Sequence, residues 1–146
     1  MQGTADIVNH AVQAGVVIPA FNVPYLPMIK PVIRAVVDQD CFALIEVARL
    51  EWIKFEAQGP AAVMEEFMKW NEPDYVRIHL DHVPVIDEDN QRVDFLAIIR
   101  EAIELGYHSV MVDGSRLDLE GNINATRQVV GMAHQAGIPC EAELGA

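Results

Sequence analysis

The chain has 146 residues, of which 51% are hydrophobic, and its 22 acidic and 10 basic residues give a formal net charge of −12. This length accommodates one hydrophobic core, so we expect a single globular unit over residues 1–146. The excess of negative charge argues against nucleic acid as a partner, because phosphate backbones are bound by basic surfaces.

Local composition argues against two further classes of protein. No apolar run approaches the roughly 20 residues that a membrane span requires. Residues 1–14 lack the basic cluster that is typical of a signal peptide. The two cysteines, Cys41 and Cys140, lie far apart and form neither a disulfide framework nor a zinc knuckle. This cysteine usage predicts a reduced, cytoplasmic protein. The lack of a long apolar run predicts that it has no membrane partner.

Predicted strands and helices alternate along the chain. A helix over residues 4–14, capped by Thr4, precedes the first strand. Strands are predicted over residues 16–23, 43–47, 75–80, 109–112 and 138–144, and the helices between them over 26–38, 60–70, 93–105 and 119–136. Helical crossovers between short apolar strands require parallel pairing. The class is therefore α/β, either an open doubly wound sheet or the first part of a (βα)8 barrel.

The polar residues at the strand ends favour the barrel. Each predicted strand ends in or near one, and these are Asn22, Glu46, Asp81, Asp113 and Glu143. A doubly wound sheet gathers its ligand groups at one switch point, whereas a barrel draws them from most strands in turn. No Gly-x-Gly-x-x-Gly pattern follows the first strand. We therefore predict a (βα)8 TIM-barrel type, with about the first four βα units plus the fifth strand.

Residues 76–82, VRIHLDH, are the most informative stretch. An aspartate and a histidine stand next to each other at the point where the apolar pattern of a predicted strand ends. His82 could bind a divalent metal, and Asp81 could move a proton at an atom that the metal polarises. The alternatives are an exposed loop histidine and an aspartate that caps the next turn. His79, two residues before Asp81, is interpreted as a structural histidine.

Several motifs together resemble one family. They are PAFNV at 19–23, HLDH at 79–82, SVMVDGS at 109–115, Asn122, Thr126, AH at 133–134, Gly137 and EAELG at 141–145. In this order and spacing they resemble the class II, metal-dependent ketose-bisphosphate aldolases, of the fructose-bisphosphate aldolase type. The resemblance extends from about residue 4 to the end, and it is strongest from Ser109 onward.

The resemblance implies zinc-dependent aldol cleavage of a phosphorylated ketose, such as fructose 1,6-bisphosphate, to dihydroxyacetone phosphate and an aldehyde, as in glycolysis. By analogy, Asp81 is the proton donor and acceptor at the C4 hydroxyl, and His82 is a ligand of zinc or another divalent metal. Asp113 and Glu143 match acidic residues that serve an alternative or second cation position. Asn22 matches a polar residue near the substrate. A divalent cation would stabilise the developing charge without a lysine Schiff base.

Two segments depart from the family pattern. The family usually follows its Asp-His pair with glycine and a short loop, whereas residues 83–90 here read VPVIDEDN, a longer acidic segment that could reshape the substrate mouth. A serine near the end of the second strand often contacts phosphate, whereas residues 46–49 here read EVAR. Arg49 is hypothesised to replace that contact. The identity of the ketose stays open between fructose, tagatose and a deoxy-sugar acid phosphate.

The length also departs from the family. A complete barrel needs about 250 residues, and the family's two other zinc-binding histidines and its phosphate sites fall beyond the matched motifs. We therefore expect an N-terminal half of an aldolase-type barrel that forms a homo-oligomer or needs a C-terminal half. The alternatives are a non-catalytic subunit that binds metal or sugar phosphate, and an open-sheet magnesium phosphatase. The phosphatase is disfavoured because no Asp-x-Asp follows the first strand.

Overall fold

The computed structural model describes residues 3–145 and contains one parallel β-sheet with accompanying helices. The strands are β1 (Ala20–Asn22), β2 (Ala43–Ala48), β3 (Val76–Pro84), β4 (Ser109–Asp113) and β5 (Cys140–Glu143). The helices are α1 (Thr4–Ala14), α2 (Ile29–Asp38), α3 (Arg49–Ile53), α4 (Pro60–Trp70), α5 (Phe95–Leu105) and α6 (Leu119–Gln135), with a 3₁₀ turn (Leu26–Met28) before α2. None of these helices is both long and apolar enough to cross a membrane.

The strand order separates the two architectures that the sequence left open. All neighbouring strands pair in parallel, and their order across the sheet is their order along the chain. A doubly wound sheet reverses its strand order at a switch point, and this sheet contains no reversal. Helices α2, α4, α5 and α6 pack against one another in the same order. This confirms the α/β class and the (βα)8 TIM-barrel type, with four βα units and the fifth strand.

Alternate residues of the central strands face the layer formed by these helices. In β3, Ile78 and Leu80 are fully buried in the same apolar cluster as Phe67 of α4 and Ile99 of α5. Because side chains alternate across a strand, the intervening residues of β3 point to the opposite side, which we call the inner face. The strand positions on the inner face are largely polar, and they carry the candidate site.

Three predicted elements differ in detail from the structure. The first strand comprises only Ala20–Asn22, because β1 pairs with β2 over three residues, and Val16 and Val17 before it are exposed. The first helix begins after Gly3 in the capping position, and Thr4 is buried in the first turn rather than acting as the cap. The third strand continues past Leu80 to Pro84.

Candidate functional site

A β-bulge in β3 presents Asp81 and His82 together. The register between β3 and β4 shifts after Leu80, so that these two residues lie opposite the single residue Met111. His82 adopts a positive φ of 35°, a conformation that non-glycine residues take rarely and often at functional positions. In a regular strand neighbouring side chains point to opposite faces. The bulge changes this alternation, and both side chains line one cavity.

His82, Asp113 and Glu143 converge at the carboxyl ends of β3, β4 and β5. One potential ligand atom from each lies within 4.8 Å of the others. Nδ1 of His82 is 3.4 Å from Oδ2 of Asp113 and 3.3 Å from Oε2 of Glu143. This oxygen of Glu143 is buried and has no hydrogen-bond partner within residues 3–145. One imidazole nitrogen and two carboxylate oxygens form a donor set that fits zinc or another divalent metal. We call these three residues the metal-binding cluster.

Residues of the following helix and loop hold the backbone of Glu143 and the carboxylate of Asp113 in place. Nδ2 of the buried Asn122 donates a 2.7 Å hydrogen bond to the backbone oxygen of Glu143. Gly114 leaves room for Asn122, since a Cβ at position 114 would lie 2.6 Å from Asn122 Oδ1. The backbone N–H of Ser115 donates to Oδ1 of Asp113 at 2.9 Å. These contacts orient the ends of β4 and β5 toward His82.

The charges around His82 favour a cation. Burial acts to lower the pKa of His82, but the carboxylates of Asp81, Asp113 and Glu143 outweigh it, and the pKa is raised. Burial acts to raise the pKa of Asp113. Hydrogen bonds from Ser115 and the nearby His82 outweigh burial, so the pKa of Asp113 is lowered. The cluster therefore offers a negative environment for a proton or a metal ion.

Asp81 lies between the metal-binding cluster and the rest of the cavity. Nδ2 of Asn22 donates a 2.8 Å hydrogen bond to Oδ2 of Asp81. The other oxygen, Oδ1, lies 3.9 Å from Nε2 of His82. Asn22 thus binds one oxygen of the carboxylate, and the second oxygen faces the cluster. Both Asn22 and Asp81 line the cavity.

The cavity at the carboxyl ends of the strands has a volume of about 490 Å³. This volume falls in the ~300–1,000 Å³ range of small-molecule sites. Parallel α/β folds place their sites at this end of the sheet. The polar lining residues are Asn22, Glu51, Asp81, His82, Glu88, Asp113 and Arg116, and the apolar ones are Pro24, Ala48, Leu50, Phe55, Pro84 and Ile86.

His79 is buried on the inner face of the sheet, and within residues 3–145 one of its two ring nitrogens has a hydrogen-bond partner. Nδ1 lies 2.7 Å from Oγ of Ser109. Nε2 lies 3.7 Å from Oε2 of Glu141 and makes no hydrogen bond in the described part of the chain. Burial lowers the pKa of His79 to about 4, so the imidazole is neutral near pH 7. The interpretation as a structural histidine accounts for one nitrogen and leaves the other without a role.

Glu46 is a second buried titratable residue on this face, between Asn22 and His79 in the strand register. Burial, with smaller contributions from the carboxylates of Asp81 and Glu141, raises the pKa of Glu46 to about 7. Glu46 therefore holds its proton over a pH range in which an exposed glutamate is ionised.

We expect Glu46→Gln to stabilise the metal-free protein at pH 8 but not at pH 4. The pKa of Glu46 is about 7 in the folded chain against an ordinary 4.5. The free energy of unfolding is therefore highest below pH 4.5, where Glu46 is protonated in both the folded and the unfolded chain. It falls by up to about 3 kcal/mol as the pH rises through 7, because the folded chain keeps a proton that the unfolded chain has lost. Urea unfolding with a chelator at both pH values measures this. Glu101→Gln, at an exposed position of α5, is the control, and an equal effect of Glu46→Gln at both pH values would contradict the prediction.

The structure brings together the residues that the sequence singled out. Asn22, Asp81, His82 and Asp113 line one cavity, and Glu143 joins them through its contact with His82. Their individual roles stay predictions. Arg49 is not among the residues that line the cavity, and its Nη1 forms a 3.3 Å ion pair with Asp87; its hypothesised phosphate contact stays a prediction.

Glu51 lines the cavity but carries little sequence signal. Its buried carboxylate accepts a 2.7 Å hydrogen bond from the backbone N–H of Ala48 and thereby caps α3. A capping box normally pairs such a glutamate with serine or threonine at the helix start. Because alanine occupies that position, and α3 has only five residues, neither the helix nor its buried acid was predicted.

Comparison with known proteins assigns the chain to a family. The chain matches the family model described as fructose-bisphosphate aldolase class-II over residues 2–146. It is 31% identical to the fructose-bisphosphate aldolase of Nostoc commune over 147 residues, and 32% identical to that of Giardia intestinalis over 127 residues. The matches cover 95% and 86% of this chain but 38% and 36% of the relatives. The chain thus spans less than two fifths of the length of these relatives.

Solved structures of aldolases resemble the chain over nearly its whole length. The YdjI aldolase from Escherichia coli K12 superposes with a TM-score of 0.72 at 29% identity, covering 94% of this chain and 49% of that protein. The fructose-bisphosphate aldolase of Campylobacter jejuni superposes with a TM-score of 0.75 at 21% identity, covering 97% and 45%. The second likeness, at its lower identity, supports the fold alone.

Proposed function

This chain belongs to the class-II fructose-bisphosphate aldolase family, and we propose that it supplies the metal-binding and proton-transfer part of an aldolase site. The reaction is cleavage of a phosphorylated ketose, such as fructose 1,6-bisphosphate, to dihydroxyacetone phosphate and an aldehyde. The observation that supports this most directly is the position of Asp81 beside the metal-binding cluster, at one end of a substrate-sized cavity. Residues 1–146 are proposed to act as one unit, the N-terminal half of the barrel.

Asp81 is the proposed proton acceptor. As the C3–C4 bond of the ketose breaks, the C4 hydroxyl becomes the aldehyde carbonyl and must lose its proton. The carboxylate of Asp81 takes this proton and returns it in the aldol direction. Asn22 binds Oδ2 of Asp81, which holds the carboxylate in place and directs Oδ1 toward the substrate. Asn22 also lines the cavity, where it is proposed to contact the sugar.

His82, Asp113 and Glu143 are the proposed metal ligands. A divalent cation held there would supply positive charge for the negative charge that develops on the ketone fragment. Zinc is the proposed ion, and cobalt, manganese and iron accept the same donors. Asp113 and Glu143 could alternatively serve a second cation.

A second candidate function is a non-catalytic half-barrel that binds metal or sugar phosphate. The observation that favours it is the donor set, because residues 3–145 contribute a single imidazole to the metal-binding cluster. Activity is therefore proposed to require self-association or a further segment that completes the barrel.

Chelator-sensitive cleavage separates the two candidates. If self-association completes the site, we expect the purified chain with added zinc to release dihydroxyacetone phosphate from ketose phosphates, detected by a coupled dehydrogenase. Removal of the metal with a chelator is expected to reduce release to background, and zinc is expected to restore it. Chelator-insensitive cleavage would contradict the metal dependence. A folded, zinc-bound chain without cleavage would exclude completion of the site by self-association, and would leave a further segment or the non-catalytic subunit.

A further inference from the structure

The cavity extends past Asp81, away from the metal-binding cluster. Asp81 is bonded to Asn22, the side chain of Asn22 contacts Glu51, and the same cavity is lined by residues of α3 and of the acidic segment over residues 83–90. In the proposed reaction the ketone fragment lies at the cluster, and the aldehyde fragment begins at the hydroxyl that Asp81 deprotonates. The distal end of the sugar therefore lies in this region. We call it the tail pocket and define it by Asn22, Glu51, Phe55, Ile86 and Glu88.

A buried carboxylate of the chain lies in the wall of the tail pocket. Oε2 of Glu51 accepts the backbone N–H of Ala48 at 2.7 Å, at the start of α3. Ala48 itself has no side-chain donor. Glu51 is only 8% exposed, so its position is held by packing as well as by the hydrogen bond. A phosphate at this place would meet a carboxylate instead of free N–H groups.

The basic side chains around the tail pocket are engaged with the acidic segment. Arg49 pairs with Asp87 at 3.3 Å, and Lys54 pairs with Asp89 at 3.0 Å. Arg116 lines the cavity, and Nη1 donates a 3.2 Å hydrogen bond to the uncharged amide oxygen of Asn90, so Arg116 is held by the segment without a carboxylate partner. Phosphate recognition usually uses free guanidinium or ammonium groups. Arg49 and Lys54 are thus paired with carboxylates, and the tail pocket itself presents the carboxylates of Glu51 and Glu88, the amide of Asn22 and two apolar side chains.

We propose that the tail pocket selects ketoses whose distal end is an uncharged hydroxylated chain, so that the preferred substrate class is ketose 1-phosphates rather than ketose 1,6-bisphosphates. This inference rests on the proposed aldolase function. Sugar hydroxyls donate hydrogen bonds to the carboxylates of Glu51 and Glu88. A second phosphate dianion would be repelled by both carboxylates, and like charges placed together are a common means of excluding a ligand.

Titration of the zinc-loaded chain with two probes tests this selectivity. Fructose 1-phosphate and fructose 1,6-bisphosphate are titrated at low ionic strength, and amide NMR shifts give each Kd. We expect the 1-phosphate to bind at least about 10-fold more tightly than the 1,6-bisphosphate. The selectivity is the ratio of the Kd of the bisphosphate to the Kd of the 1-phosphate. Glu88→Gln, at an exposed position, and Glu51→Gln are each expected to lower this ratio. Glu101→Gln removes a charge from α5, outside the cavity lining, and is expected to leave the ratio unchanged.

The outcomes distinguish this inference from the aldolase proposal. Equal or tighter binding of the bisphosphate would overturn the inference and leave the aldolase proposal to its own cleavage assay. A ratio that neither Glu88→Gln nor Glu51→Gln changes would overturn the assignment of selectivity to these carboxylates. If neither probe binds in a zinc-dependent manner, both the selectivity and the proposed site are overturned.

Discussion

Replacement of His82 by alanine is expected to lower the zinc affinity of the chain by more than about 100-fold. His82 supplies the single imidazole nitrogen of the metal-binding cluster, 3.4 Å from Asp113 and 3.3 Å from Glu143. Replacing a residue that only orients a metal ligand already lowers metal affinity by about 10–100-fold. Two carboxylates alone form a weaker, oxygen-only site for zinc. Isothermal titration of the metal-free chain measures the loss.

Two further variants control for indirect effects of that substitution. His82 has a positive φ, and asparagine tolerates this conformation better than alanine. His82→Asn therefore tests whether the loss follows the imidazole rather than the backbone of the bulge. His134→Ala removes an exposed histidine near the end of α6 and is expected to leave zinc binding intact. Undiminished affinity in His82→Ala would place the metal elsewhere, with His79 and Glu141 as the next pair to replace.

The second large effect is expected at Asp81. Asp81→Asn keeps the shape of the side chain but removes the group that accepts the C4 hydroxyl proton. We expect the zinc-dependent cleavage rate to fall by about 10²–10⁴-fold, the usual contribution of general acid–base catalysis. Zinc affinity is expected to change little, because Asp81 lies outside the metal-binding cluster. The ratio kcat/KM measures the first effect and calorimetry the second.

The control for Asp81→Asn is Asp89→Asn, an equal change of charge at an exposed residue of the acidic segment. It is expected to leave the cleavage rate within a few-fold of the unmodified chain. A comparable loss in both variants would indicate that overall charge, rather than proton transfer, controls the rate. A nearly unchanged rate in Asp81→Asn would assign proton transfer to another group.

Elements with strong local signals agree between sequence and structure. Helix α4 runs over Pro60–Trp70 as predicted, because proline suits a first turn and the apolar residues recur at helical spacing. The first helix occupies the predicted residues 4–14, although its cap is Gly3 rather than Thr4. The short helix α3 was not predicted. Its glutamate cap is formed with a backbone N–H, and no side chain at the preceding position indicates it.

The members of the site could also be predicted, because parallel strands bring their carboxyl ends to one edge. Polar residues at successive strand ends must therefore be neighbours. The contacts among Asn22, Asp81, His82, Asp113 and Glu143 agree with this expectation. Which oxygen of Asp81 is bound by Asn22, and which faces the cluster, does not follow from strand order.

The sequence by itself determined the alternation of strands and helices, their parallel pairing and the identity of the polar strand ends, because these depend on local periodicity and on chain connectivity. Only the tertiary structure decided the bulge that brings Asp81 and His82 into one cavity, the pairing of Arg49 with Asp87, and the burial of Glu51. The bulge depends on the register between two strands, and the ion pair joins residues 38 positions apart. Such features arise from packing between distant segments, which leaves no periodic signal in either segment.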